Sequence, residues 1–194
     1  GTVTGVSVGG LPDGIVDNDM IANTTIAEGK LAANVNTIKQ TDLWRITSGA
    51  TSSDSGVELD FNANWESADT YGANKIGTGM SESSGIFTFP ETGIWQIDFR
   101  TVGKKSGVTI KYIACQIKTT LNNSSYSAAS QGYSFIESNG GGCWAGLGCT
   151  ALFDVTDTSN CKCKFVASSD LAFAFWGDTS TNQTYAIFTR LGDT

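Results

Sequence analysis

The chain has 194 residues and a formal net charge of −7, from 19 acidic and 12 basic side chains; 16% of residues are charged, 23 are glycine and none is histidine. An acidic chain with no basic cluster argues against nucleic acid, which is held by Lys and Arg at phosphates, and against anionic lipid head groups. Without histidine no Ser-His-Asp or Cys-His nucleophile system can be built, and the commonest general base and metal ligand are gone.

Residues 1–40 differ from the rest. Ile15, Met20, Ile21, Ile26 and Leu31 recur among Asp, Asn and Thr. That spacing fits neither the 3.6 period of an amphipathic helix nor strand alternation. The segment reads as a spacer or a flexible linker ahead of a domain over 41–194. No apolar run approaches the ~20 residues that span a bilayer, and the start does not resemble a signal peptide.

From Thr41 on, strands are predicted at 43–48, 57–64, 84–90, 94–102, 109–120, 131–138, 144–156, 160–167, 171–177 and 184–191. Turn-forming clusters separate them, among them Gly49 to Gly56, Asn122 to Ser125 and Gly177 to Asn182. About ten short strands with no helical pattern between them predict an all-β, antiparallel sandwich or jelly roll. The plainest signal lies at Ile76–Thr101. There Phe87 and Phe89, then Trp95, Ile97 and Phe99, alternate with other residues around a Pro90–Gly93 corner. A period of two places one face in a core.

The corner GIFTFPETGIW resembles the central strands of the jelly-roll heads of complement globular domains and tumour-necrosis-factor ligands. It is most similar to the version on fibre and virion proteins of tailed phages, marine phages especially. DLWRIT (42–47), FDVTDT (153–158) and the ending Tyr185–Thr194 fit that version in order. The resemblance covers roughly 41–194. LPDGIVDNDMIANTTIAEGKLA, within 1–40, is similar to the spacers that such fibres place before a head. The resemblance implies a homotrimer located in the virion and assembled in a host cytoplasm, with 1–40 attaching it to other virion proteins.

Strand parity gives a candidate interface. Phe188 lies opposite in parity to Tyr185 and Ile187, and Trp176 opposite to Phe173 and Phe175. If one parity fills the sandwich, Trp176 and Phe188 stand on the outer face, which in the resembling family is the three-fold interface. A monomer with scattered aromatics is the alternative.

Other chemistry is sparse. Asp54, Glu58, Asp60, Glu66 and Asp69 crowd one stretch and could supply a glycosidase pair or calcium ligands, or be solvated charge. No Asp-x-Asp-x-Asp-Gly run is present, and the Gly-rich stretches 77–85 and 139–148 lack the GKS or GKT of a phosphate cradle. A hairpin of 144–156 with 160–167 would set Val155 opposite Cys161 and Phe153 opposite Cys163. Cys149 would then lie too far from Cys163 for the about 4.4–6.8 Å Cα separation of a disulfide. Cys115, Cys149, Cys161 and Cys163 share faces with apolar residues, and with Cys143 the count is odd, as suits buried reduced thiols. Neither zinc nor any cofactor is expected. Sequons occur at Asn23, Asn123 and Asn182.

These observations favour a non-enzymatic virion head that adheres to a host-surface glycan or protein. Tyr71, Tyr126, Tyr133 and Trp176 are the candidate contacts, since they are aromatics within or beside polar loops. The alternatives are a polysaccharide depolymerase using the 54–69 carboxylates and a secreted recognition module of complement or cytokine type.

Overall fold

The computed structural model describes residues 38–53, 56–138 and 140–194; the compact unit runs from Ile38 to Thr194. The spacer expected over 1–40 lies outside the described residues, apart from 38–40. There the Gln40 backbone oxygen accepts from Arg190 N at 3.0 Å and its side chain from Gly79 N at 3.3 Å.

Among the described residues the chain forms thirteen strands: β1 Thr41–Ile46, β2 Ser48–Ser52, β3 Leu59–Asp60, β4 Trp65–Ser67, β5 Ser81–Ser83, β6 Ile86–Thr88, β7 Gly93–Ser106, β8 Ile110–Thr120, β9 Ser127–Ile136, β10 Gly142–Val155, β11 Lys162–Ser169, β12 Phe173–Asp178 and β13 Tyr185–Gly192. Each of the ten predicted stretches overlaps one of them, with ends that differ by up to four residues. The three others (β2, β4, β5) are short and polar, and period-two reasoning finds no apolar alternation there. All pairing is antiparallel. One sheet runs β2–β12–β7–β13–β1–β4 with β10 on the other edge of β7; the second runs β5–β6–β11–β8–β9 with β3 beside β11. The architecture is an all-β jelly-roll sandwich.

The Pro90–Gly93 corner carries the chain from one sheet to the other, since β6 pairs with β5 and β11 while β7 pairs with β10, β12 and β13. Gly93 sits at φ 140°, and a Cβ there would lie 2.5 Å from the Gly192 oxygen and 2.6 Å from Arg190 Nε. Only glycine lets the chain turn so close to the last strand. The alternating residues on either side face inward as expected: Phe87, Phe89, Trp95, Ile97 and Phe99 are at most 1% exposed. Phe99 of the first sheet stacks on Phe165 of the second, with ring centroids 4.6 Å apart. Phe188 of β13 meets Phe87 of β6 at 5.0 Å. Such aromatic pairs add about 0.5–1.5 kcal/mol each beyond area burial.

The expected hairpin of 144–156 with 160–167 does not form. β10 pairs along its whole length with β7, Val155 facing Gly93, whereas β11 pairs with β8, Cys163 facing Thr119. The link between them is an arch from sheet to sheet. Asp157 pins it, its backbone oxygen accepting from Cys161 N at 2.7 Å and its carboxylate from Ser159 N at 2.7 Å. The Ser159 bond, with one from the Asn160 side chain at 2.6 Å, holds the Asp157 carboxyl below its ordinary range. A local turn signal cannot distinguish a hairpin from an arch, because both need the same turn residues. The hairpin reading separated Cys149 from Cys163 and did not place Cys149 against Cys115, which is where it lies. Cys115 of β8 and Cys149 of β10 place their sulfurs 3.7 Å apart between the sheets. All five cysteines are unbridged; four are buried and Cys143 is half-buried. Contact with Cys149 and burial push the Cys115 thiol up, and burial alone does so for Cys163.

The sandwich closes tightly along the edge where β9 approaches β10. A Cβ on Gly132 would come within 2.2 Å of the Gly148 oxygen, whereas one on Gly146 would meet nothing within 4 Å. Gly132→Ala is therefore expected to destabilise the fold by about 1–3 kcal/mol, and Gly146→Ala to stay within about 0.5 kcal/mol. Urea unfolding midpoints check this; equal midpoints would refute the close-approach argument. A thiol reagent applied to the native protein is expected to label Cys143 first, the other four reacting only on unfolding. Peptide mass spectrometry reads the order.

Candidate functional site

The outward face of the first sheet follows from the register. Thr150, Asp98, Ile187 and Leu43 form one cross-strand row, and Gly148, Arg100, Tyr185 and Arg45 the next. Parity on β13 is the reverse of what the interface reading needs for Phe188. Phe188 and Ala186 are fully buried in the core, and it is Tyr185 and Ile187 that face outward, half-buried. Phe188 therefore cannot contact a partner. Period two predicts that the two sets are opposed, but not which of them faces the second sheet. Trp176 does stand outward, 37% exposed, edge-on to Trp144 with centroids 4.4 Å apart. Lys104 Nζ lies 5.3 Å from the centre of the Trp144 ring. Trp144 has no place among the contacts expected from sequence, although it precedes Ala145 in the same alternation.

Arg45 is the centre of the other outward feature. It is 1% exposed although it belongs to the outer face. Glu66 of β4 opposes it in register and accepts from its Nε at 2.7 Å. Nη1 donates to Thr70 Oγ1 at 2.8 Å and Nη2 to Asp69 Oδ1 at 3.0 Å. Thr179 Oγ1 donates to the same Glu66 oxygen at 2.8 Å, and Thr70 Oγ1 to the Ser180 backbone oxygen at 3.3 Å. One guanidinium thus ties loops about 110 residues apart in sequence. Burial pushes the Glu66 carboxyl up, but the Arg45 and Thr179 hydrogen bonds and the Arg45 charge together hold it below its ordinary value of 4.5. Asp178 is held low chiefly by backbone N–H bonds from Ser180 and Thr181, at 2.6 and 2.8 Å, which shape the second loop.

Between these loops lies an open cleft of about 510 Å³, lined by Arg45, Thr70, Tyr71, Gly72, Ala73 and Ser180–Asn182. Its volume falls in the about 300–1,000 Å³ range of small-molecule sites. Tyr71 projects from the tip of a tight turn. Ala73 N donates to the Thr70 oxygen at 3.0 Å, and the two central residues, Tyr71 and Gly72, have φ of 54° and 81°. Positive φ at both positions is the type I′ signature, where Asn-Gly is the usual pair. Tyrosine is strained there, and its ring is 90% exposed.

The remaining candidates separate. Tyr126 is half-buried with Lys164 Nζ 5.4 Å from its ring centre, and its hydroxyl is enclosed without a hydrogen-bond partner. Burial pushes that phenol up. Such a ring does not stand free for a ligand. Tyr133 is 64% exposed on β9, its hydroxyl donating to Gln131 Oε1 at 3.1 Å. Of the clustered carboxylates, Glu58 pairs with Lys118, Asp60 with Lys164, and Glu66 and Asp69 with Arg45; Asp54 lies outside the described residues. Among the described residues no group of three or more Cys, Asp and Glu is placed to hold a metal ion. Arg45 was legible in DLWRIT only as a charged residue in a strand, because its partners come from two distant loops.

Acid is expected to loosen this site. Carboxyls held low in the folded state stabilise it fully above their ordinary values and lose that effect as pH falls through the lowered ones. Thermal unfolding should therefore occur at lower temperature at pH 3 than at pH 7, in part through Glu66 and Asp178. Glu66→Gln should lower the pH 7 midpoint and shrink the acid-induced drop. A drop of unchanged size in the variant would show that Glu66 takes no part.

No family model matches the chain, and no curated protein matches it. Solved structures do. Eiger TNF from S. frugiperda superimposes with a TM-score of 0.58 at 10% identity, covering 81% of this chain and 96% of that one. Murine APRIL gives 0.54 at 10% identity over 78% and 98% of the two chains. The PRD1 vertex protein P5 gives 0.51 at 16% identity over 80% and 99%. At such identities the likeness shows a shared fold: the described unit is a TNF-like jelly roll.

Proposed function

We propose that the chain is a non-enzymatic, homotrimeric head displayed on a phage particle, adhering to a host-surface glycan or protein, with residues 1–40 attaching it to other virion proteins. The outward face of the first sheet carries this reading. Leu43 and Ile187 are cross-strand neighbours at its centre. Leu152 is 67% exposed and Leu191 53%. An outer face with this much apolar surface marks a partner rather than solvent, and closed cyclic symmetry is the usual way for copies of one chain to cover such a face. The fold shared with a vertex protein supports a virion location. The pairing of the 58–69 carboxylates with Lys and Arg supports a display role, since a glycosidase needs two carboxylates facing a sugar across about 5–9.5 Å.

Light scattering on the purified chain is expected to give three times the monomer mass. Ile187→Asp places a carboxylate beside Asp98 on this face and should raise the trimer dissociation constant roughly 100-fold or more, as for an unpaired charge in an interface core. A wild-type monomer at micromolar concentration would overturn the trimer. Release of reducing ends from bacterial polysaccharide by the purified protein would overturn the non-enzymatic reading.

A further inference from the structure

We infer that the cleft over Arg45 is a binding site for a neutral saccharide, with the Tyr71 ring as its stacking platform. The inference rests on the reading of the chain as an adhesive head and gives that head a site and a ligand class. Tyr71 is the first observation. A β-turn of this type is made most cheaply by Asn or Gly at its first central position, because an ordinary side chain at positive φ costs conformational energy. Here a large aromatic occupies that position at φ 54° and stays 90% exposed, so its ring gains almost nothing from the fold. Strain without packing points to a use outside the fold.

The second observation is what faces that ring. The opposite wall offers Ser180, Thr181 and Asn182, all exposed, and the floor is a guanidinium already bonded at all three nitrogens. Amide and hydroxyl groups around an aromatic face match a sugar, which presents C–H groups on one side and hydroxyls at its edge. Asp178 fixes the Ser180–Asn182 wall through two backbone bonds, and the Thr70–Ser180 bond joins it to the turn. Both walls are thus set before any ligand arrives, which lowers the cost of binding.

Charge selects the class of sugar. One cation, Arg45, is matched in this region by three carboxylates, Glu66, Asp69 and Asp178, on a chain of net charge −7. An anionic sugar would have to displace Glu66 or Asp69 from the guanidinium and then lie against both. A neutral one meets no such penalty.

The test uses the full chain on an immobilised panel of neutral hexose and N-acetylhexosamine oligosaccharides alongside sialylated and uronate-containing ones, with Tyr71→Asn and Tyr71→Phe variants. Binding to at least one neutral saccharide is expected. Tyr71→Asn should lose it tenfold or more while melting at the same or a higher temperature, since Asn suits the turn; Tyr71→Phe should retain it. A tyrosine that merely anchors its loop would show the opposite, a lower melting temperature for Tyr71→Asn. Neutral-sugar binding unchanged in Tyr71→Asn would overturn the cleft but leave the adhesive head standing. Binding confined to acidic glycans would overturn the ligand class, and no glycan binding at all would overturn the site. The trimer measurement stays independent of each result.

Discussion

Phe99 and Phe165 stack at 4.6 Å, one from each sheet, and the other core aromatics arrange themselves around that contact. Phe61 meets Phe99 at 5.6 Å, Phe87 meets Phe165 at 5.4 Å and Phe188 meets Phe87 at 5.0 Å. The requirement that two sheets share this one aromatic layer dictates much else. It sets which parity of each strand points inward. It brings β9 so close to β10 that Gly132 must lack a side chain, since a Cβ there would lie 2.2 Å from the Gly148 oxygen. It also leaves the opposite face of the first sheet with whatever the other parity holds, and here that includes Leu43, Ile187, Leu152, Trp144 and Trp176.

Arg45 solves a different problem. The outer face must support long loops that have no core of their own. A buried cation costs several kcal/mol of desolvation unless it is well paired. Glu66, Asp69 and Thr70 pair it fully, and through Thr179 and Ser180 the same network reaches the far loop. The cleft between Tyr71 and Asn182 is a by-product of this tie. Loop positions that a packed scaffold holds in place are where binding surfaces arise. The neighbouring Asp42 does comparable work on the inward side, its carboxylate accepting from Trp44 Nε1 and Met80 N, both at 2.8 Å. The short DLWRIT run thus places two buried charges on opposite faces of one strand.

How far the site could be read from sequence varies by residue. Tyr71 and the 176–184 loop were legible as aromatics and polar groups in turns, because turn composition is local. Their meeting at one cleft was not, since it depends on contacts between residues separated by about 110 positions. Tyr126, like Tyr71, sits among small and polar residues, yet its ring lies under Lys164. Exposure of a loop aromatic is decided by what neighbouring strands place over it. The cysteines show the same limit. Their burial follows from the apolar company they keep in each strand, but the contact of Cys115 with Cys149 follows from an arch that looks like a hairpin in sequence.

The sequence by itself determined the all-β class, the principal strands and the inward face around the Pro90–Gly93 corner. These follow from period-two alternation and turn chemistry, which act over a few residues. Tertiary structure decided which strands pair, that Phe188 rather than Tyr185 fills the core, and that Arg45 is buried beneath two loops. Alternation specifies two opposed faces without saying which one meets the other sheet, and a salt-bridge network has no sequence period at all. Those outcomes arise only when distant strands pack, and the candidate site is built from them.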